Sequence, residues 1–287
     1  AGAGVTLLER NEKLGKKIYI TGKGRCNVTN DCTLDEFLRE VPRNPRFLYS
    51  ALSFFPPQAM MALLEEAGCP TVVQRGRRVF PATEKASDVN RALERLLRQA
   101  GVKVRLNARV KALALTDGRV AGVTLAEGID LPADRVILAT GGRSYPMTGS
   151  TGDGYDLARA AGHTVIPPAP VLSALVTASE WPKQLQGLSL RNVTLTLKKG
   201  RKVLFSELGE MLFTHFGISG PLTLSLSSHL PEETAQAEVF LNLKPGLTPE
   251  QLDARLRRDF AEQPRKQLRT VLPGLLPGRM AELFPEL

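Results

Sequence analysis

Four short stretches carry residue types whose spacing suits chemistry. The first is YITGKGRCNVTN, Tyr19 to Asn30, close behind the apolar run VTLLER. Gly22 and Gly24 permit positive φ and let the backbone come close to a ligand. Lys23 and Arg25 can face a phosphate or an anionic ring, and Asn27 and Asn30 can serve the donors and acceptors of a heteroaromatic edge. Cys26 could deliver a proton, although a free cysteine is more often a small buried side chain. The second is Glu9, an acid at a strand tip, placed to bond the ribose hydroxyls of an adenine nucleotide; a solvated strand-end carboxylate is the plainer alternative. The third is ILATGG, residues 137–142, an apolar strand whose glycines let a ligand approach the carboxyl end of a sheet, or simply a strand and a tight turn. The fourth is TGSTGDGY, residues 148–155. There, N–H groups at a helix start suit a phosphate and Asp153 could take a sugar hydroxyl, against an ordinary Asp-Gly turn with a helix cap.

These stretches need elements to hold them. GVTLLER, residues 4–10, reads as a short buried strand, with a break at Gly15. Residues 34–68 read as mostly helical; FPPQAMMALLEEAG has Pro57 in its first turn and Gly68 as its terminal cap. SDVNRALERLLRQAG, residues 87–101, is amphipathic, with Ala92, Leu93, Leu96 and Leu97 on one face and Ser87 as N-cap. VKVRL, RVKALAL and RVAGVTLA read as strands, with TDG at 116–118 as a tight turn. ADRVILATGG reads as a buried strand from Val136 to Ala139, and GDGYDLARAAGH as a helix that stops at Gly162. VIPPAPV, residues 165–171, marks a change of composition. Beyond it NVTLTL, KVLFSEL, LTLSLS and AEVFLNL read as strands at hairpin spacing, with KKGRK as a turn. TPEQ opens a helical region with Thr248 and Gln251 as a capping box, and Pro264, Pro273 and Pro277 cut the remainder into short helices.

The chain has 287 residues, 43% of them hydrophobic, enough for a sizeable core and two domains. Net charge is +9, and the excess is local: Arg191, Lys198, Lys199, Arg201 and Lys202 share residues 191–205 with no acid, and Arg75, Arg77 and Arg78 form a second knot. A solvated basic face competes with an anionic partner, of which RNA is the first to test. No apolar run of roughly 18 residues stands out and no signal-peptide layout opens the chain, so a cytoplasmic protein without a membrane partner is expected. Cys26, Cys32 and Cys69 lack C-x-x-C spacing and the three histidines are well separated, which argues against a disulfide frame or a metal site. The oligomeric state is left open.

The order of the four stretches looks like that of a two-dinucleotide-fold flavoprotein. NEKLGKKIYITGKGRCNVTN, GRVFPATEKASDV, ILATGGRSYPMTGSTGDGYDLARAAGH and GEMLFTHFGISGP closely resemble the YhiN/BaiN-like family of bacterial FAD flavoproteins, over essentially the whole chain. The resemblance implies an α/β fold: an FAD/NAD(P)-binding domain of glutathione-reductase-like type, residues 1–166, interrupted by a β-barrel-like insert, residues 167–287, that is β-rich over 167–246 and helical over 247–287. The family's N-terminal glycine motif and C-terminal FAD-contacting segment are not in this sequence, so a chain truncated at both ends is expected. The implied cofactors are FAD and NAD(P)H. The implied reaction is reduction of a C=C bond, first of uridine to dihydrouridine in large-subunit ribosomal RNA; a small unsaturated metabolite, or a non-enzymatic nucleotide- or RNA-binding module, is the alternative. The cofactor shell then falls at Glu9, Arg10, Lys16, Thr21, Gly22, Lys23, Gly24, Arg25, Asn27, Asn30, Val110, Ala139, Thr140, Gly141, Gly142, Gly152, Asp153 and Gly154. Hydride delivery to C6 of a uracil requires a proton at the neighbouring carbon. Cys26 and His215 are the candidate donors, His215 in the apolar context FTHFG where a neutral imidazole could be buried; Arg25 and Lys23 would stabilise negative charge. Arg191, Lys198, Lys199, Arg201 and Lys202 would hold RNA phosphates.

Overall fold

The structure is a computed structural model that describes residues 2–231 and 234–286. The chain divides into two units at the Pro167–Pro168 junction. The first unit runs β1 (Thr6–Leu8), a 3-10 segment (Ile18–Gly24), β2 (Thr29–Asn30), α1 (Leu34–Arg39), α2 (Tyr49–Phe54), α3 (Pro57–Glu66), β3 (Thr71–Gln74), β4 (Arg78–Pro81), α4 (Ala86–Gln99), β5 (Lys103–Arg105), β6 (Val110–Thr116), β7 (Arg119–Leu125), β8 (Asp130–Pro132) and α5 (Asp153–Ala160). β1 and β5 pair in parallel, Thr6 opposite Lys103 and Leu8 opposite Arg105. Of two antiparallel sheets, β2-β4-β3 falls between these strands in sequence and β6-β7-β8 falls after them. The core gathers Leu64 and Ala67 at the end of α3, Val89 and Ala92 from α4, and Cys26 and Cys69.

Several helix ends are where local chemistry puts them. Pro57 is the first residue of α3, and its far end closes through Gly68 at φ 76°, whose N–H donates to Glu65 O at 2.9 Å while the Cys69 N–H donates to Leu64 O at 2.8 Å. α1 has a capping box that the sequence reading did not anticipate: the Glu36 N–H donates to Thr33 Oγ1 at 3.3 Å and the Thr33 N–H to Glu36 Oε2 at 2.9 Å. α4 begins two residues earlier than predicted, with Lys85 in place of Ser87 at the N-cap position and no side-chain cap; Ser87 lies inside the first turn. Buried Ala86 sets that start by packing into the core.

Two readings of apolar runs are corrected. Val136 to Ala139 is not a strand: the run has no ladder partner among the described residues, and Ile137 is 90% exposed. An apolar pattern specifies a buried strand only when neighbouring strands take its backbone donors and acceptors. The stretch Pro45–Glu66 is long and apolar enough, by length and composition, to cross a membrane. It is not one helix, because Phe55 leaves the helical region at φ −133°, ψ 78° and Pro56 is extended, separating α2 from α3.

The second unit runs β9 (Leu175–Val176), α6 (Trp181–Gln184), β10 (Ser189–Lys199), β11 (Lys202–Thr214), β12 (Gly217–Ser219), α7 (Pro221–Ser227), β13 (Ala237–Asn242), α8 (Pro249–Glu262), α9 (Leu268–Val271) and α10 (Gly278–Leu283). Its strands form one antiparallel sheet in the order β13-β10-β11-β12-β9. Val193, Leu195 and Leu197 alternate into a core with Phe213, Leu226 and Met280. α8 opens on the predicted capping box of Thr248 and Gln251. LTLSLS is a correction: it reads as a strand by its alternation and is helix α7. Pro221 starts that helix, Thr223 Oγ1 donates to Ser219 O at 2.9 Å, and Ser227 Oγ donates to Leu224 O at 2.7 Å. The hydroxyls are absorbed by backbone carbonyls, and Leu222 and Leu226, four apart, fill the core.

Candidate functional site

The carboxyl end of β1 delivers Glu9, Arg10 and Asn11 to the start of α5. Glu9 Oε1 accepts from the Asn11 backbone N–H at 2.8 Å and from Asn11 Nδ2 at 2.9 Å, and Asn11 Nδ2 also reaches Thr148 O at 3.0 Å. Arg10 Nη1 donates to Thr151 Oγ1 at 2.7 Å and to Asp153 Oδ2 at 3.1 Å. Arg109, at the entry to β6, donates through Nε to the same Asp153 oxygen at 3.3 Å. The Thr151 hydroxyl, and after it the charges of Arg10 and Arg109, hold the Asp153 carboxyl below its ordinary range, with burial opposing them. Asp153 is the first residue of α5 and follows Gly152 at φ 88°, so its charge also faces the positive end of the helix.

The ATGG turn lies against the same helix start. A Cβ at Gly154 would sit 2.1 Å from Thr140 Oγ1, one at Gly141 would sit 3.1 Å from Ser150 Oγ, and one at Gly152 would sit 2.6 Å from Arg143 Nε. These glycines let the two turns interlock. The Arg143 guanidinium lies 5.9 Å from the Tyr155 ring centroid, a further link between them. Residues 9–11, 140–143 and 148–155 thus form one cluster. Lys17 Nζ, donating to Ser144 O at 2.7 Å, ties the approach to the 3-10 segment to it.

The remainder of the Tyr19–Asn30 stretch turns toward β4. Gly22, Lys23 and Gly24 have φ of 56°, 58° and 87°, and Cys26 has 63°. A Cβ at Gly22 would meet the Asn27 backbone nitrogen at 2.7 Å, so glycine is required for the fold of the loop itself. The Val28 N–H donates to Val79 O at 2.8 Å. The Arg25 guanidinium lies 4.4 Å from the Phe80 ring centroid, and Nη1 pairs with Glu84 Oε1 at 2.8 Å and Gln74 Oε1 at 3.3 Å. Gln74, and then Arg25, lower the Glu84 carboxyl.

The other predicted residues take varied places. Lys16 pairs with Glu12 at 3.0 Å, Thr21 Oγ1 donates to Ile18 O at 2.8 Å, and Asn30 Nδ2 donates to Gly76 O at 2.8 Å. Lys23, Gly24, Asn27, Ala139, Thr140 and Gly141 are exposed. Val110 opens β6 beside Arg109 and opposite Leu125. Cys26 is packed among Leu64, Ala67 and Val89, and burial pushes its thiol up, partly offset by the Thr21 hydroxyl. His215 is a correction: its apolar sequence context does not bury it, because it occupies the exposed turn between β11 and β12, edge-on to Phe216 at 4.9 Å. Asn11, Arg109, Arg143 and Thr151 were not singled out by the sequence; Asn11, Arg143 and Thr151 had a signal in lying inside the family-resembling strings, and Arg109 had none.

The Rossmann-domain model of the HI0933-like proteins matches residues 1–220, and the barrel and H2TH domain model matches residues 169–287. A 3-dehydro-bile acid delta(4,6)-reductase from Clostridium scindens is 32% identical over 99% of this chain and 69% of its own length. A ribosomal RNA dihydrouridine synthase from Haemophilus influenzae is 30% identical over 99% of this chain and 69% of its length. Among solved structures, the open conformation of a flavocytochrome c3 fumarate reductase aligns with TM-score 0.38 and 19% identity, over 67% of this chain and 40% of that one.

Proposed function

The chain belongs to the HI0933-like family of FAD-dependent oxidoreductases, and from that premise we propose that it uses FAD and NAD(P)H to reduce a carbon–carbon double bond, with uridine in large-subunit ribosomal RNA as the substrate. The observation that carries the cofactor half is the joining of Glu9, Arg10 and Asn11 to the start of α5. A carboxylate at the end of a parallel strand, beside a cation and a helix start opened by a positive-φ glycine, is the donor and acceptor set that an adenine dinucleotide takes. Glu9, Arg10 and Asp153 would hold that half of FAD, and the exposed backbone at Lys23, Gly24 and Asn27 would border the rest. Bound FAD supplies the hydride chemistry.

The chain's own residues have distinct parts in this reading. Arg25, fixed between Phe80 and Glu84, would set the charge at one edge of the site. Cys26 keeps its proton on Sγ because burial disfavours the thiolate. Substituting Cys26→Ser and His215→Gln separately, and following product formation at saturating NAD(P)H, assigns proton delivery: the donor's substitution lowers kcat about 100-fold or more, and the other leaves it within a factor of a few. The RNA half is supported by the names of two relatives, the Haemophilus protein above and an Escherichia coli ribosomal RNA dihydrouridine synthase 29% identical to this chain, and by the +9 net charge. Its test is the dihydrouridine content of ribosomal RNA with and without the gene; equal content removes it. The bile-acid relative favours a second reading, an unsaturated small-molecule substrate. Re-oxidation of the reduced flavoprotein by a dehydro-bile acid, with no change in ribosomal RNA, would select that reading instead.

A further inference from the structure

We infer that the outward face of the β13-β10-β11 sheet is a surface for single-stranded RNA, with Phe240 as its base-stacking ring. The inference rests on the RNA reading above and names the surface that would serve it. Because Val193, Leu195 and Leu197 point into the core, Thr194, Thr196 and Lys198 stand on the opposite face of β10. The strand register sets their neighbours: Thr196 lies between Phe240 and Ser206, and Lys198 lies opposite Glu238. Phe240 is 46% exposed, although a large aromatic ring is ordinarily buried. Thr196 Oγ1 and Ser206 Oγ are 2.9 Å apart, so a ring and a pair of hydroxyls occupy one row.

Charge selects the occupant. β10 and β11 turn through Gly200 and Arg201, Gly200 at φ 58°, and the turn carries Lys198, Lys199, Arg201 and Lys202. No acid occurs from Ser189 to Ser206. At the other end of β10 a bulge between Leu190 and Val193, with Asn192 at φ 54°, throws Arg191 outward. Arg191 pairs with Glu210 at 3.9 Å and lines, with Lys244, a depression of about 320 Å³ that also includes Leu190 and Leu243 from the core side of the sheet. A ring and hydroxyls beside a cationic turn match bases, sugar hydroxyls and phosphates along one strand of RNA. The Lys198 ammonium now lies 4.6 Å from the Phe240 centroid. A solvent-exposed cation–π contact is weaker than base stacking on the same ring, so a base displaces it and Lys198 turns to a phosphate.

The experiment is fluorescence anisotropy of a fluorescein-labelled oligouridine RNA against the full-length flavoprotein at a series of salt concentrations. Phe240→Ala is expected to weaken binding about tenfold with the salt slope unchanged, and Phe240→Tyr to stay near wild type. The pair Lys198→Glu with Lys202→Glu is expected to weaken binding and make the slope shallower, by about 0.7 for each phosphate no longer neutralised. Circular dichroism melts confirm that each variant is folded. Wild-type affinity in Phe240→Ala overturns the inference, as does Phe240-dependent binding to phosphatidylserine vesicles without binding to RNA. The substrate reading fails separately: if Phe240→Ala loses the oligouridine while deletion of the gene leaves ribosomal dihydrouridine unchanged, the surface stands and uridine reduction does not.

Discussion

Asp153 holds more charge together than the TGDG string suggests. Read locally, it is a turn residue or a ligand for a sugar hydroxyl; in the fold it accepts from Arg10 and Arg109, which lie 143 and 44 positions away in the chain. Such partners leave no local trace in a sequence, which is why both arginine pairings were illegible while the acid itself was not. Asp153→Asn is expected to destabilise the first unit by about 1 kcal/mol at pH 7, since both ion pairs are partly solvated. Because the folded carboxyl is lowered, its contribution is complete above the unfolded value of about 3.9 and disappears as pH falls through the folded value. Denaturant midpoints of wild type and variant should therefore merge in strong acid; a gap that persists there removes the ionic explanation. Gly154 teaches a related lesson. Glycines beside a strand suggest space for a ligand, but this one makes room for Thr140, and Gly154→Ala should cost about 1–3 kcal/mol by overpacking. Thr140→Ala should recover much of that loss in a double-mutant cycle. Additive losses would place the strain elsewhere.

At the level of elements, what was legible is what is decided within a few residues. The Asp117–Gly118 turn closes the β6–β7 hairpin with both residues at positive φ, as TDG predicts, and α3 and α8 begin on their own N-terminal signals. What failed was decided by neighbours. α7 alternates like a strand but its hydroxyls bond to carbonyls three and four residues back, and residues 136–139 are apolar like a strand but have no ladder partner among the described residues. The β2-β4-β3 sheet went unseen because its strands are two and four residues long. The sheet is joined to α1 through Glu36, which caps its own helix and accepts from Arg77 at 2.6 Å. Arg77, and then the Thr33 N–H, hold the Glu36 carboxyl at about 2, against an ordinary value of about 4.3. Its contribution is thus full at neutral pH and lost as pH falls from about 4.3 to 2. The stability difference between wild type and Glu36→Gln should shrink across that window, and a difference independent of pH would assign the loss to packing. Thr248→Ala, which removes the α8 cap, should cost about 0.5–2 kcal/mol with no such pH dependence, measured by chemical denaturation.

At the scale of the molecule, burial is organised twice. The buried cluster around Leu64, Val89 and Cys26 lies within the first unit, and the cluster around Leu197, Phe213 and Met280 lies within the second. A boundary at the VIPPAPV stretch is visible in composition because prolines cannot continue either a helix or a strand ladder. The physical condition for independent folding is a core of one's own, and the second unit has one, built from the inward face of a hairpin-rich sheet and short helices. Residues 168–287 alone should therefore melt cooperatively by circular dichroism. Leu197 is fully buried in that core, so Leu197→Ala in the excised unit should lose about 2–5 kcal/mol through the cavity it leaves. A broad, non-cooperative melt of residues 168–287 would mean that the cluster is not self-sufficient. The same fragment carries Phe240 and the basic β10–β11 turn but none of Glu9, Arg10 or Asp153. If it folds, it should bind oligouridine and retain no FAD, because the side chains proposed for each ligand lie within one unit. Flavin retained by residues 168–287 would contradict the assignment of the dinucleotide to the end of β1 and the start of α5.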